Sequence, residues 1–218
     1  MRIGIIGTGT VGRTLAAKLV SLGHEVTLGS RTKENAGAAE WARQAGPYGH
    51  AGTFADAADF GELVINATAG TVSLQALRLA GADRLAGKVL IDVSNPLVFA
   101  PDGEVSLDPV NTDSIGERIQ REFPYTAVVK ALNTLSAPLM VDPGRVPGAH
   151  NLFIAGEDPE AKARVRSLLE QFGWADEVIV DLGGIAAARS TEMLMPFWLN
   201  MMRHVGHTDF NYSFKIAE

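Results

Sequence analysis

The stretch IGIIGTGTVGRTLAAKLVSLGHEVTLGSRTKE, residues 3–34, decides the fold. Its first apolar run predicts a buried strand over 2–7, followed by a helix over 10–22 and a second strand over 25–29. Gly7, Gly9 and Gly12 form a G-x-G-x-x-G motif at the strand-to-helix turn. In that context the glycines allow a tight turn, close approach of a pyrophosphate and close packing of the helix on the sheet. The stretch predicts a dinucleotide-binding unit rather than an ordinary glycine-rich turn.

The end of the second strand indicates which dinucleotide is bound. NAD-binding domains usually carry an acidic residue there to accept a hydrogen bond from the ribose 2′-hydroxyl. Here Glu25 lies at the start of the strand, and the strand ends in Ser30, Arg31 and, two residues later, Lys33. A hydroxyl and a guanidinium suit a 2′-phosphate dianion, so the prediction is NADP. The alternative is that Arg31 and Lys33 merely begin a solvated helix, which is easier to accept for Lys33.

The alternation of strands and helices continues along the first half of the chain. Helices are expected over 32–45, 54–59 and 71–79, and strands over 50–53, 63–67 and 89–93. This order predicts the α/β class, with a Rossmann-type doubly wound parallel sheet.

The second half is less regular. Loops are expected over 99–112 and 142–150, helices over 114–123 and 159–172, and strands over 127–132, 152–155 and 177–180. A long helix over 185–204 would kink or start afresh at Pro196, and 210–216 alternates like an edge strand. The 159–172 helix has Asp158 as its cap and Pro159 at its first position. We expect an NADP-binding Rossmann domain over 1–140 and a small C-terminal α/β extension over 141–218, which carries the acceptor site and dimer contacts.

Composition excludes several classes of protein. Of 218 residues, 46% are hydrophobic and 20% charged, which is typical of a globular protein. The net charge of −6 argues against nucleic acid as a partner, because phosphate binding needs a basic face. The chain has no cysteine, which excludes disulfides and fits a cytoplasmic location. The apolar window 193–202 is too short for a bilayer, so no membrane partner is expected.

Other chemistries find little support in the sequence. The five histidines show no metal-ligand spacing except His204 and His207, so no metal site is expected. Tyr125 and Lys130 are five residues apart and do not form the Tyr-x-x-x-Lys pair of short-chain dehydrogenases. Arg189 and Glu192, three apart on a helix, are expected to pair with each other. Lys130 has two possible positions: a salt bridge near the site, or an outward orientation.

Four segments together resemble a known family: residues 7–31, LIDVSNPL (90–97), VVKALNTLSA (128–137) and RSTEMLMPFWLNMMR (189–203). They are similar to the NADP-dependent coenzyme F-420 oxidoreductases and to the cytosolic domain of six-transmembrane metalloreductases. The resemblance implies a homodimer that transfers a hydride between NADP(H) and a small-molecule acceptor, either the planar deazaflavin coenzyme F-420 or a flavin. Deazaflavin enzymes often have histidine in place of Asn133, so the acceptor stays open. The alternatives are an NADPH-dependent reductase of ferric iron or of a small carbonyl or imine, and a non-catalytic NADP-sensing module.

The resemblance also implies a role for particular residues. The pyrophosphate would be held by Thr8, Gly9, Thr10 and Val11, the 2′-phosphate by Ser30, Arg31 and Lys33, and the cofactor ribose would be flanked by Thr68, Ala69 and Gly70. The nicotinamide would be bordered by Asn95, Pro96 and Leu97, and the acceptor side lined by Leu132, Asn133 and Thr134. No residue is expected to act as a catalytic acid or base, because hydride transfer between rings depends chiefly on alignment.

Overall fold

A computed structural model describes residues 1–215. The strands are β1 (Arg2–Ile6), β2 (Glu25–Ser30), β3 (Gly49–Thr53), β4 (Leu63–Asn66), β5 (Val89–Asp92), β6 (Leu97–Phe99), β7 (Val105–Leu107), β8 (Ala127–Ala131), β9 (Leu152–Ala155) and β10 (Ile179–Asp181). The helices are α1 (Thr10–Ser21), α2 (Ala36–Ala45), α3 (Phe54–Phe60), α4 (Gly70–Ala80), α5 (Ala82–Leu85), α6 (Ile115–Glu122), α7 (Ala137–Val141), α8 (Pro159–Phe172), α9 (Ala188–Met193) and α10 (Met195–Val205).

Eight strands form one sheet in the order β10-β9-β8-β5-β4-β1-β2-β3. Neighbouring strands are parallel except β8 and β9, which are antiparallel. The central strands β1, β4 and β5 are buried along nearly their whole length because helices cover both faces of the sheet. One core layer includes α1, α7 and α8, and the other includes α3, α4 and α6. The predicted Rossmann-type fold is confirmed, and β9 and β10 extend the same sheet.

Several predicted elements differ from the structure in the second half. The segment 99–112 is not only loop: β6 and β7 pair as a short antiparallel hairpin, with Leu97 opposite Leu107. Three-residue strands are too short to give an alternating pattern. The predicted strand 177–180 begins instead as a 3₁₀ turn, Asp176–Val178, and becomes β10 only at Ile179. Helix α7 was not predicted from the sequence.

The structure of the C-terminal region also differs from the prediction. The long helix predicted over 185–204 is divided into a 3₁₀ turn (Ile185–Ala187), α9 and α10, and the new start places Pro196 at the second position of α10. A proline is tolerated there because the first N–H groups of a helix have no partner within it. Residues 210–215 form no strand, and Ile216 lies outside the described residues. Within 1–215, no helix combines the length and apolarity needed to cross a membrane.

The close packing of α1 on the sheet gives a first prediction. A Cβ added to Gly12 would lie 2.2 Å from the Gly7 carbonyl oxygen. We expect Gly12→Ala to lower the free energy of unfolding by at least about 2 kcal/mol, since the backbone must shift to admit the methyl group. Gly37→Ala, in α2, is the control, because its new Cβ would meet only ordinary contacts at 3.5 Å or more. Urea unfolding of both variants measures the difference, and equal midpoints would contradict the prediction.

Candidate functional site

The glycine-rich turn after β1 forms the floor of the site. Gly7 has φ = +120°, and a Cβ there would lie 2.7 Å from the Ala67 carbonyl oxygen. The position therefore requires glycine. The Gly7 N–H donates to the Gly29 carbonyl at 3.0 Å, which ties the turn to β2. A Cβ on Gly9 would have no protein atom within 4 Å. The space beyond Gly9 is open to a ligand that approaches the backbone closely.

A cavity of about 360 Å³ opens at this turn, at the carboxyl edge of the parallel strands. It is lined by Gly7, Thr8, Gly9, Arg31, Phe54, Ala67, Thr68, Ala69, Val72, Gln75, Ala76 and Leu79. Six of these residues, Gly7, Thr8, Gly9, Arg31, Thr68 and Ala69, were predicted from the sequence as cofactor-binding. The structure therefore brings the phosphate loop, the end of β2 and the end of β4 to one cavity.

The other predicted phosphate-binding residues lie beside this cavity rather than in its lining. Thr10, Val11 and Gly12 form the first turn of α1, and no side chain within residues 1–215 caps that helix at its N-terminus. Its free N–H groups and partial positive charge favour an anion. Ser30 is buried, and its hydroxyl donates to the Thr32 carbonyl within the turn after β2.

Ser30 thus shapes the turn that carries Arg31 and Lys33, whose side chains are exposed. Arg31 is the cation that lines the cavity. Its guanidinium offers several donors in a fixed fork, a geometry that matches phosphate oxygens.

Sequence reasoning missed the apolar wall of the cavity. Phe54 begins α3, and Val72, Ala76 and Leu79 lie on α4 with Gln75. Val72 and Leu79 are 45% and 54% exposed, unusual values for large apolar residues that lie next to a polar loop. Hydrophobic spacing alone could have placed these residues on a helix, but only the packing of α3 and α4 against β1 and β4 shows that they face the cavity.

The predicted nicotinamide and acceptor segments meet through a pair of amides. Asn95 follows β5 and donates through Nδ2 to the Asn133 carbonyl at 2.7 Å, while Asn133 donates through Nδ2 to Asn95 Oδ1 at 2.9 Å. Leu132 has φ = +65°, a conformation unusual for a branched residue, and it turns the chain sharply after β8. Asn133 is 3% exposed, as is Thr134, so this side of the site is tightly packed.

The structure also settles the orientation of Lys130. Its ammonium group is buried between the carboxylates of Asp92 and Glu192, 2.8 Å from each, and it also donates to the Ser94 carbonyl. Burial by itself disfavours the charged form, but the two carboxylates outweigh it, and the pKa of Lys130 is raised. Lys130 therefore stays protonated and makes a poor general acid.

The expected pair of Arg189 with Glu192 is wrong. Arg189 instead binds Glu117, with Nε 2.8 Å from Oε2, and this hydrogen bond is the main cause of the lowered pKa of Glu117. Glu192 accepts from the backbone N–H groups of Ile115 and Gly116 at 2.9 and 3.2 Å, at the N-terminus of α6. Helical spacing permits the pair, but α6 offers each side chain a better partner.

None of the five histidines, all within residues 1–215, lines the cavity. His24 contacts Gln171 at 2.9 Å, and His150 contacts the Pro143 carbonyl at 3.1 Å. His204 and His207 are exposed at the end of α10 and beyond it. Over residues 1–215, no three His, Cys, Asp or Glu side chains are grouped so that they could hold a metal ion.

Comparisons with known proteins identify NADP-dependent reductases as relatives of this chain. A family model described as NADP oxidoreductase coenzyme F420-dependent matches residues 2–96. The F420-dependent NADP reductase of Methanothermobacter marburgensis is 32% identical over 213 residues, and the match covers 92% of each chain. Metalloreductase STEAP3 of Rattus norvegicus is 33% identical over 90% of this chain, but the chain spans only 38% of that protein.

Solved structures agree with these matches. A protein from Arthrobacter sp. FB24, proposed to be an F420-dependent NADP reductase, is 47% identical, with a TM-score of 0.91 over 98% of this chain and 99% of that one. A reductive aminase of Aspergillus terreus in complex with NADPH is 18% identical and has a TM-score of 0.65 over 94% of this chain and 62% of its own. At that identity the likeness shows the fold alone.

The position of Arg31 gives a prediction about the choice of cofactor. Charged hydrogen bonds contribute roughly 1.5–3 kcal/mol each, so Arg31→Ala should weaken NADPH binding about ten- to a hundredfold and change NADH binding little. Lys33→Ala is the comparison, with a smaller loss expected because Lys33 does not line the cavity. Isothermal titration of the variants with both cofactors measures this. A parent protein that binds NADH as tightly as NADPH would contradict the prediction.

Proposed function

Because this chain belongs to the F420-dependent NADP reductase family, we propose that it transfers a hydride between NADP(H) and a planar ring acceptor, coenzyme F-420 or a flavin. The family relation makes the chain an NADP-dependent oxidoreductase. The identity of the acceptor is the proposed part.

The cavity fits the cofactor in three places. The open space at Gly9 and the uncapped N-terminus of α1 suit a pyrophosphate, which accepts hydrogen bonds from backbone N–H groups. Arg31 suits the 2′-phosphate. The apolar wall on α4, with Val72 and Leu79 exposed, suits an aromatic base. Bound NADPH supplies the hydride, and the residues of this chain bind the cofactor, orient it and exclude water.

The amide pair of Asn95 and Asn133 is the observation that carries the proposed chemistry. It lies where the carboxyl ends of β5 and β8 meet, the edge of a parallel sheet at which ligands bind. Reduction of a carbonyl needs a nearby proton donor. The neighbouring ionisable groups, Asp92 and Lys130, are at most 1% exposed and paired with each other. Amides can orient a ring and stabilise charge that spreads over it, which is what hydride transfer to a deazaflavin or flavin requires.

The extent of the matches favours coenzyme F-420 over the alternatives. The reductase of M. marburgensis matches this chain over 92% of its own length, whereas STEAP3 carries a further 62% that this chain does not span. Ferric reduction is the second candidate, supported by the 33% identity to that metalloreductase. The imine reductases and reductive aminases are 15–21% identical and support only the shared fold.

A panel of acceptors tests the proposal. NADPH oxidation is followed at the nicotinamide absorbance band with coenzyme F-420, FMN, FAD, a ferric chelate or a simple ketone. We expect turnover with F-420 or a flavin and none with the ketone. A ketone as the best substrate would replace this function with carbonyl reduction. Turnover with the ferric chelate alone would favour the second candidate, and NADPH binding with no turnover would indicate a sensing module.

In the same assay, Asn133→Ala should slow acceptor reduction while NADPH affinity stays nearly unchanged. The variant removes the hydrogen bond to Asn95 at the acceptor side and touches no residue that lines the cavity. His24→Ala is the control, since the His24 ring is hydrogen-bonded to Gln171 and His24 does not line the cavity. A histidine indispensable for the hydride step would contradict the mechanism.

The apolar surface of the C-terminal helices supports the proposed homodimer. Phe197 and Met193 are 55% and 38% exposed on α10 and α9. We expect light scattering at micromolar concentration to give twice the chain mass of 23.2 kDa. Phe197→Glu should yield a monomer, because a charge would be buried in the interface. Tyr125→Glu is the control at a site 81% exposed and far from α10 in the sequence. A monomeric parent protein would rule out the dimer.

A further inference from the structure

A line of buried hydrogen bonds leads from the centre of the protein to the cavity. Asp92, the last residue of β5, accepts from Asn66 Nδ2 at 2.8 Å. Asn66, the last residue of β4, accepts through Oδ1 from the Thr68 hydroxyl at 2.7 Å. Asp92 and Asn66 have no exposed surface, whereas Thr68 lines the cavity. The cavity is thus connected to the buried carboxylate through Thr68, which faces the cavity, and Asn66, which water does not reach.

The neighbours of Asp92 determine the direction of each bond. Asn66 Nδ2, the Ser94 N–H and hydroxyl, and the Lys130 ammonium all donate to its two oxygens, at 2.8–3.2 Å. An ionised carboxylate can only accept, so Asn66 must turn its NH₂ group to Asp92 and its oxygen to Thr68. The Thr68 N–H, 3.3 Å from that oxygen, favours the same orientation. The proton of the Thr68 hydroxyl therefore points to Asn66.

The remaining capacity of the Thr68 hydroxyl is then that of an acceptor. Ser73 Oγ lies 3.0 Å from Thr68 Oγ1 and 3.2 Å from the Ala69 carbonyl, to which it can donate. A hydroxyl oxygen has two lone pairs. Even if Ser73 donates to Thr68, one lone pair of Thr68 is left for another donor.

We propose that Asp92 is a positioning residue for bound NADP(H), which acts through Asn66 to present Thr68 to the cofactor as a hydrogen-bond acceptor. The phosphate oxygens of the cofactor only accept, so they cannot be the matching donor. Thr68 lies beside the phosphate-binding turn, with its backbone nitrogen 3.2 Å from the position of a Cβ on Gly7. The cofactor donors nearest to the phosphates are the ribose hydroxyls, and we take one of these as the partner of Thr68. The Lys130 ammonium donates to the second oxygen of Asp92 at 2.8 Å, so every hydrogen-bond partner of this carboxylate within residues 1–215 is a donor. This inference rests on the proposed NADP(H) function and adds to it a buried carboxylate that does not touch the ligand.

The effect is measured as the dissociation constant of NADPH by isothermal titration. Thr68→Val has nearly the same shape as threonine but lacks the hydroxyl, and we expect about two- to tenfold weaker binding, the range of one neutral hydrogen bond. Thr68→Ser keeps the hydroxyl and should bind nearly as well as the parent. Asp92→Asn should weaken binding by a similar factor to Thr68→Val, because either orientation of the new amide points its NH₂ group at existing donors.

A double-mutant cycle separates positioning from a general structural role. If Asp92 acts through Thr68, the double variant with Asp92→Asn and Thr68→Val should bind NADPH as tightly as the single variant with the lower affinity. Factors that multiply would overturn the inference, because they would show that Asp92 affects the site independently of Thr68.

Two further variants keep the test decisive. If Asp92→Asn does not fold, Asn66→Leu replaces it in the cycle, since it interrupts the relay and leaves Asp92 with Lys130 and Ser94. Normal NADPH affinity in Asn66→Leu would also overturn the inference.

Glu117→Gln is the control, because it removes a buried carboxylate that binds Arg189 and takes no part in the hydrogen bonds from Asp92 to Thr68. It should lower thermal stability while NADPH affinity stays within about twofold. A parent protein that does not bind NADPH at all would instead refute the proposed function.

Discussion

The buried ammonium of Lys130 is the constraint on which much of the structure depends. A charge without contact with water must be matched by opposite charge nearby, and Lys130 meets Asp92 and Glu192 at 2.8 Å each. These partners come from β5 and α9, so one cation joins the centre of the sheet to the C-terminal helices. The cluster carries one excess negative charge, which the backbone N–H groups at the start of α6 offset through Glu192. Removal of one partner of such a buried pair typically costs about 3–5 kcal/mol.

This cluster lies next to the amide pair on which the proposed chemistry rests. Lys130 holds the Ser94 carbonyl, and the next residue, Asn95, exchanges hydrogen bonds with Asn133. The amide pair thus rests on an ion cluster that solvent does not loosen. Hydride transfer depends steeply on the distance and angle between two rings. In the proposed reaction, a rigid support next to both strand ends would keep that alignment without an acid or base.

The three glycines of the glycine-rich turn differ in what surrounds them. At Gly7 and Gly12 the absence of a side chain lets β1, α1 and β4 approach closely, with a hypothetical Cβ 2.2–2.7 Å from backbone oxygens. At Gly9 the absence of a side chain leaves open space instead. Gly7 and Gly12 are therefore required by the fold, whereas Gly9 leaves room for the proposed cofactor, although the motif presents all three alike. Stability and binding can therefore be separated by mutation within one short loop.

The sequence alone determined the features that depend on neighbours along the chain. The strand, glycine turn and helix of residues 3–34 predicted the Rossmann fold, and Ser30-Arg31 at the end of β2 predicted where a 2′-phosphate would be met. The structure brings six of the predicted residues to one cavity. The cap at Asp158 was also correct, because a helix N-terminus is satisfied by residues adjacent in sequence.

Only the tertiary structure decided the partners of side chains from distant segments. Helical spacing suggested that Arg189 pairs with Glu192. In the structure, packing against α6 and β8 places Arg189 in an ion pair with Glu117 and Glu192 in an ion pair with Lys130. The apolar wall of Val72 and Leu79 and the line from Asp92 to Thr68 join segments that lie far apart or on different strands. Periodicity states which face of an element is apolar, but which element covers that face is a three-dimensional outcome. The partners of buried charges depend on it, because desolvation makes a charge pair with whatever opposite charge the fold brings within reach.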